Sequence, residues 1–249
     1  MNNANTQARV ALVTGAARRI GAVIAETLHN KGFLVAIHCH HSQREANSLC
    51  AEFNKRRPNS ARVFSANLTQ KKENQTLINE VIDWSGRLDL LVNNASIFMK
   101  TPLEPLDDAR WDALFSINVQ APFWLSFAAQ SFLAAQQGSI VNITDIHAET
   151  PLKGYAEYCQ TKAALMMQTK ALAVEFAPSV RVNAIAPGAI AWPESANELT
   201  HEQQEKIIAK TLLKRHGDAA FIAQAVLTVA ENPFITGQTL RVDGGRLLS

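Results

Sequence analysis

Tyr158-Cys159-Gln160-Thr161-Lys162 places a phenol and an ammonium four residues apart, one helical turn, on a single face. A free phenol titrates at about 10, too high for easy proton exchange at neutral pH, and a nearby ammonium stabilises the phenolate. The pair therefore suits proton transfer to a substrate that receives a hydride. A second element of chemistry is the turn Thr14-Gly15-Ala16-Ala17-Arg18-Arg19-Ile20-Gly21, between an apolar run and a helical pattern. Gly15 permits a tight turn, Gly21 permits close helix packing, and amides at a helix start (Arg18, Arg19, Ile20) can bind pyrophosphate. Arg19 stands where such turns usually carry their middle glycine, and it sets a cation beside the phosphates. A third element is His38-Cys39-His40-His41-Ser42, after the second apolar run. Folds that take NAD carry Asp or Glu about 20 residues after the glycines, for the ribose 2′-hydroxyl. Here the first acid is Glu45, and the place is held by His40, His41 and Ser42, with Arg19 near. These donors suit a 2′-phosphate, so NADP(H) is expected over NAD(H). Two other readings of the histidines are a metal site, for which only Cys39 gives support at ligand spacing, and a solvated polar turn, above all for His38.

These groups need a scaffold, and the chain is long enough to supply one. Its 249 residues suit a single domain, and 47% hydrophobic with 18% charged residues is ordinary globular usage. A net charge of +2 argues against a dedicated nucleic-acid binder. No apolar run reaches the ~18 residues of a membrane span, and residues 1–7 are polar without a signal-peptide core. Residues 1–8 are expected to be extended or disordered, ahead of one domain over 9–249. Cys39, Cys50 and Cys159 are an odd number at irregular spacing and read as reduced thiols of a cytoplasmic protein. Strands are expected at 10–13, 33–37, 62–66, 88–93, 139–143, 180–186 and 239–242. Helical segments alternate with them, among them long ones at 111–133 and 156–176. Strands apolar almost throughout imply burial on both faces, hence an α/β, doubly wound parallel sheet of Rossmann type flanked by helices. Residues 189–213 break the rhythm, with Trp192-Pro193-Glu194 and a polar helix, and read as a substrate loop.

Together with Asn93-Asn94-Ala95-Ser96 after a strand, Asn118, Pro187-Gly188, and Thr236-Gly237-Gln238 followed by Val242-Asp243-Gly244-Gly245, these motifs resemble the short-chain dehydrogenase/reductase superfamily. The resemblance runs from Val10 to Gly245. It implies Tyr158 as acid/base, Lys162 bonded to the nicotinamide ribose, and Asn118 in a water relay. It also implies cofactor contacts from Asn67-Leu68, from Asn94, Ala95 and Ser96, and from Pro187 and Gly188. A homotetramer built through the two long helices is common in the family. A buried amide that bends its helix is a second reading of Asn118, compatible with the first.

One departure redirects the chemistry. The family's serine, some 13 residues before the tyrosine, is replaced by Asp145 in Asn142-Ile143-Thr144-Asp145. A serine donates to a carbonyl oxygen, whereas an ionised aspartate repels a developing alkoxide. Asp145 suits a substrate with ring N–H groups or one protonated at nitrogen; its other reading is a turn cap. This departure resembles the pteridine reductase branch, as do Arg19, the His-rich turn and Asn94-Ala95-Ser96-Ile97-Phe98. In that branch Ser96 and Phe98 would contact the pterin, with Phe98 stacked on the flat ring; Trp192, in the expected substrate loop of this chain, is a further candidate for substrate contact. Differences remain: His41 stands for an arginine, Asn67 for an aspartate, and Ala189-Ile190-Ala191-Trp192 for the usual loop. The expectation is NADPH-dependent reduction of a dihydropteridine of biopterin, monapterin or folate type. An NADPH-dependent carbonyl or 3-oxoacyl reductase is the alternative enzyme, disfavoured by Asp145 and Phe98. A regulatory cofactor binder without turnover is disfavoured by the Tyr158–Lys162 pair.

Overall fold

The computed structural model describes residues 8–101, 107–192 and 199–249. The expected N-terminal arm thus lies outside the described residues up to residue 7, as does 193–198 of the expected substrate loop. Seven strands form one sheet in the order β3-β2-β1-β4-β5-β6-β7, every pair parallel. They are β1 (Val10–Val13), β2 (Leu34–Cys39), β3 (Ala61–Ser65), β4 (Leu90–Asn93), β5 (Ser139–Ile143), β6 (Arg181–Pro187) and β7 (Thr239–Val242). The helices are α1 (Arg19–Asn30), α2 (Gln43–Arg56), α3 (Lys71–Ser85), α4 (Asp108–Phe115), α5 (Ala121–Ala134), α6 (Ala156–Glu175), α7 (His201–Ala209) and α8 (Ala219–Glu231). This is a single-domain, Rossmann-like α/β fold. Among the described residues no helix is long and apolar enough to cross a membrane.

Strand alternation assigns each face its own core. Ala11 and Val13 of β1 pack with Ile24 and Leu28 of α1 and Ile222 and Val226 of α8. Val10 and Leu12 turn the other way, onto Leu77 and Val81 of α3, Leu125 and Leu133 of α5, and Leu172 of α6. Both faces are buried, so the strands read as continuous apolar runs.

Two elements differ from the expectation. The long helix at 111–133 is interrupted: between α4 and α5 the chain makes a π-turn over Ser116–Gln120, closed by the Ala121 amide on the Ser116 carbonyl. Pro122 has no N–H to return to the carbonyl four residues back, and the wider turn accommodates it. Strand β2 runs on to Cys39, because His38 and Cys39 pair with Phe64 and Ser65 of β3. His38 is therefore no solvated turn residue. Its ring is buried, Nδ1 accepts from the Gly15 amide at 3.1 Å, and Nε2–H donates to the Ala66 carbonyl at 3.1 Å.

That geometry needs a neutral imidazole, and burial pushes His38 down to about 4, against an opposing hydrogen bond to Ala66. Between the unfolded value of about 6.5 and that lower value, the unfolded chain binds a proton that the native chain excludes. The contribution is full above about pH 6.5 and is lost as the pH falls towards 4. His38→Gln, which keeps one acceptor and one donor, should remove on the order of 3 kcal/mol of acid sensitivity over that window. Urea unfolding at a series of pH values checks this; His29, also pushed down by burial, leaves a residual slope in both proteins.

Candidate active site

The C-terminal ends of β1, β4, β5 and β6 meet at one edge of the sheet, and the candidate residues converge there. Gly15 takes a left-handed φ of +61°, and a Cβ on Gly21 would lie 2.2 Å from the Gly15 carbonyl oxygen. Only glycine therefore lets α1 approach the turn this closely. The Thr14 hydroxyl accepts from the amides of Asn94 (2.9 Å) and Ala95 (3.0 Å), and Asn94 Nδ2 donates to the carbonyls of Thr14 and Gly15. These bonds lock the turn after β1 to the segment after β4. The first turn of α1 has no side-chain cap and no acid. Uncapped amides beside exposed Arg18 and Arg19 are a donor set that fits the phosphates of a dinucleotide. His40 and His41 lie exposed just past β2 with their rings 3.6 Å apart, and Ser42 precedes α2. Asn67 anchors its own turn through Thr69 and Glu73, and the Leu68 side chain is buried in the core. Among the described residues no group of three or more His, Cys, Asp or Glu is placed to hold a metal ion.

Asp145 follows β5 and makes two bonds. Oδ1 accepts from the His147 amide at 2.8 Å, and Oδ2 accepts from the Tyr158 hydroxyl at 2.8 Å. One oxygen of Asp145 thus caps its own turn, and the other meets the phenol. Tyr158 is 4% exposed, and its phenol is held well above the usual range by burial, then by the charge of Asp145 and the hydrogen bond to it. This corrects the expectation that Lys162 lowers the phenol: in this arrangement the hydroxyl is kept protonated. Lys162 donates to the Ile143 carbonyl at 3.0 Å and sits 5.7 Å from the centre of the Tyr158 ring. Burial brings its ammonium down to about 8, against the charge of Asp145.

Asn118, in the π-turn, is 1% exposed. Its Oδ1 accepts from the Ile97 amide, and its Nδ2 donates to the Ile97 carbonyl and to Thr161 on α6. It thus ties the segment after β4 to the helix that carries Tyr158. On that segment Ser96 is exposed and Phe98 is half-buried. Phe98 stacks on Tyr155 with centroids 4.5 Å apart and meets the Tyr158 ring edge-on at 4.8 Å. Pro187 ends β6, and Gly188 packs so closely on Asp243 that a Cβ would lie 2.6 Å from its Cα. Trp192 rests on His216.

Three residues here carry no assignment from the sequence, and a fourth, His38, carries only the turn and metal readings. Thr14 and His38 could have been found as polar residues closing apolar strands. Tyr155 could have been found by its three-residue helical spacing from Tyr158. Arg246, on the turn after β7, has no periodic signal in the sequence. It is half-buried, and burial pushes its guanidinium below the arginine range against the opposing charges of Asp145 and Asp243.

Residues 15–246 match the family model described as "Enoyl-(Acyl carrier protein) reductase". Among curated relatives, "Pteridine reductase 1" of Leishmania tarentolae is 35% identical, over 97% of this chain and 97% of that protein. A "3-oxoacyl-[acyl-carrier-protein] reductase" of Haemophilus influenzae is also 35% identical, over 98% of this chain and all of that one. "Nodulation protein G" of Rhizobium sp. (strain N33) is 36% identical over 95% and 96%. With its parallel seven-stranded sheet, its glycine turn and its Tyr158–Lys162 pair, the chain belongs to the short-chain dehydrogenase/reductase family of nicotinamide-dependent oxidoreductases.

Proposed function

We propose that this enzyme reduces a dihydropteridine with NADPH. The observation that carries the reading is the bond from the Tyr158 hydroxyl to Asp145 Oδ2, with the Phe98 ring beside it. Sequence identity does not separate a pterin substrate from a 3-oxoacyl one, since both relatives stand at 35%. The carboxylate does favour one. A new alkoxide beside Asp145 would meet a like charge, whereas a ring nitrogen that gains a proton is stabilised there.

The nicotinamide, when bound, supplies the hydride. The α1 amides with Arg18, Arg19 and Ile20 would hold the pyrophosphate, and His40, His41 and Ser42 the 2′-phosphate. Asn67 and Leu68 would flank the adenine, Asn94, Ala95 and Ser96 the ribose side, Pro187 and Gly188 the carboxamide, and Lys162 the nicotinamide ribose. Phe98, on which Tyr155 stacks, would contact the flat heterocycle, and Ser96 and Trp192 would border it. The phenol proton leaves Tyr158 through water for the ring nitrogen, Asp145 Oδ2 holds the hydroxyl in place, and Tyr158 recovers a proton from solvent. Asn118 holds the segment and the helix that bound this path. Exposed Phe127 on α5 and Met167 and Val174 on α6 form apolar surface that supports assembly into a homotetramer through these helices. Three free thiols, Cys39, Cys50 and Cys159, fit a cytoplasmic enzyme.

NADPH oxidation measured with dihydropterins, dihydrofolate and 3-oxoacyl thioesters tests the substrate class, and faster turnover of 3-oxoacyl substrates would overturn it. Tyr158→Phe should lower kcat by roughly 10²–10⁴ while NADPH binding stays nearly intact. Asp145→Ser should reduce dihydropterin turnover at least about tenfold, about 1.4 kcal/mol, and leave ketone turnover equal or higher. Steady-state kinetics on both substrate classes reads the two outcomes directly.

A further inference from the structure

Helix α2 begins directly after the histidine turn and packs beside the glycine turn. Its Ala46 and Phe53 are buried in the core shared with Ile24 and Leu28 of α1, and its Leu49 rests on the same core as Ala17 of that turn. Between α2 and the turn lies a cavity of about 440 Å3, bounded by Ala17, Arg44, Glu45, Ser48, Leu49 and Glu52. Arg44, Ser48 and Glu52 follow one another at four-residue spacing and form one row along the helix. Arg44 is the N-terminal member of the row. It stands two residues beyond Ser42, in the first turn of α2, and borders the same space as Ala17.

The charges around this cavity are unevenly committed. Glu52 is paired with Arg56, which also reaches Glu26. Arg19 is engaged elsewhere, with Nη2 donating to the Trp192 carbonyl at 2.7 Å. The exposed Arg44 accepts from the Ser48 hydroxyl at its carbonyl, but its guanidinium makes no hydrogen bond or ion pair among the described residues. In the turn before α2 the rings of His40 and His41 lie 3.6 Å apart, so two imidazolium charges there would repel one another. Glu45 adds a carboxylate that opposes an incoming anion. A phosphate at this end of the site therefore needs a cation of fixed charge, and an arginine keeps its charge across the physiological range.

We propose that Arg44 sets the cofactor specificity of this enzyme: its guanidinium engages the 2′-phosphate of the dinucleotide from helix α2, and so replaces the turn arginine for which His41 stands. The discriminating ligand feature is a phosphate on the 2′-oxygen of an adenosine. A charge-assisted bond to that phosphate is about twice as strong as one to a neutral hydroxyl, so Arg44 separates the two cofactors where His40, His41 and Ser42 offer both a hydrogen bond. The inference rests on the reading of the turn and the histidines as a dinucleotide site, and adds to it a charge from outside both.

Calorimetric titration of the full chain with 2′,5′-ADP and with 5′-AMP, which differ only in the 2′-phosphate, tests this without turnover. The wild type should bind 2′,5′-ADP more tightly by roughly ten- to hundredfold. Arg44→Gln should lower the affinity for 2′,5′-ADP at least about tenfold and leave 5′-AMP binding unchanged, so that most of the preference is gone. Arg44→Lys, which keeps the charge but not the planar fork, should recover part of it. An Arg44→Gln protein with the wild-type preference overturns the inference alone. So does one that loses both ligands in equal measure, since Arg44 would then only shape the turn. A wild type that binds 5′-AMP as tightly as 2′,5′-ADP overturns the 2′-phosphate reading, and the inference with it.

Discussion

Where the central strands of a parallel sheet end, their backbone amides lose ladder partners while still buried, and each must find another acceptor. Much of the site follows from that requirement. The Gly15 amide goes to the His38 imidazole, the Asn94 and Ala95 amides to the Thr14 hydroxyl, the Ile97 amide to Asn118, and the His147 amide to Asp145. Except for Asp145, which caps its own turn, each acceptor is a side chain from a distant part of the sequence. The edge is therefore both closed and cross-linked, and the groups that satisfy the backbone are the groups that bound the chemistry.

The charges at this edge are arranged under the same restriction. Lys162 is 2% exposed and keeps its ammonium against burial by one carbonyl bond and the charge of Asp145. Arg246 approaches from the last turn of the chain, and its half-buried guanidinium is opposed by the two carboxylates Asp145 and Asp243. Asp243 in turn accepts from the Gly245 and Leu247 amides, which shapes that turn. A single carboxylate at position 145 thus answers a phenol, an ammonium and a guanidinium. A serine in its place would offer none of these partners a charge.

Aromatic packing adds the direction of approach. Tyr155 supports one face of Phe98 and Tyr158 meets its edge, so the ring is held in a fixed plane beside the Tyr158–Asp145 bond. The partly buried ion pair of Arg110 with Glu157, the residue before Tyr158, ties α4 to the start of α6.

The sequence by itself determined the fold class, the order of strands and helices, and the types of residue gathered at the edge. Apolar runs buried on both faces, the glycines at 15 and 21, and the one-turn spacing of Tyr158 and Lys162 are local signals, and local signals survive in a linear text. It also showed that Asp145 replaces the serine of the family pattern, because that is a matter of residue identity. The tertiary structure alone decided what Asp145 bonds to, that Tyr158 is held protonated rather than drawn towards phenolate, and that His38 lies buried within β2. It alone brought Arg246 near residue 145 and Arg19 onto the Trp192 carbonyl. These outcomes depend on desolvation and on distances between segments far apart in the chain, and neither quantity is written in the spacing of residues along it.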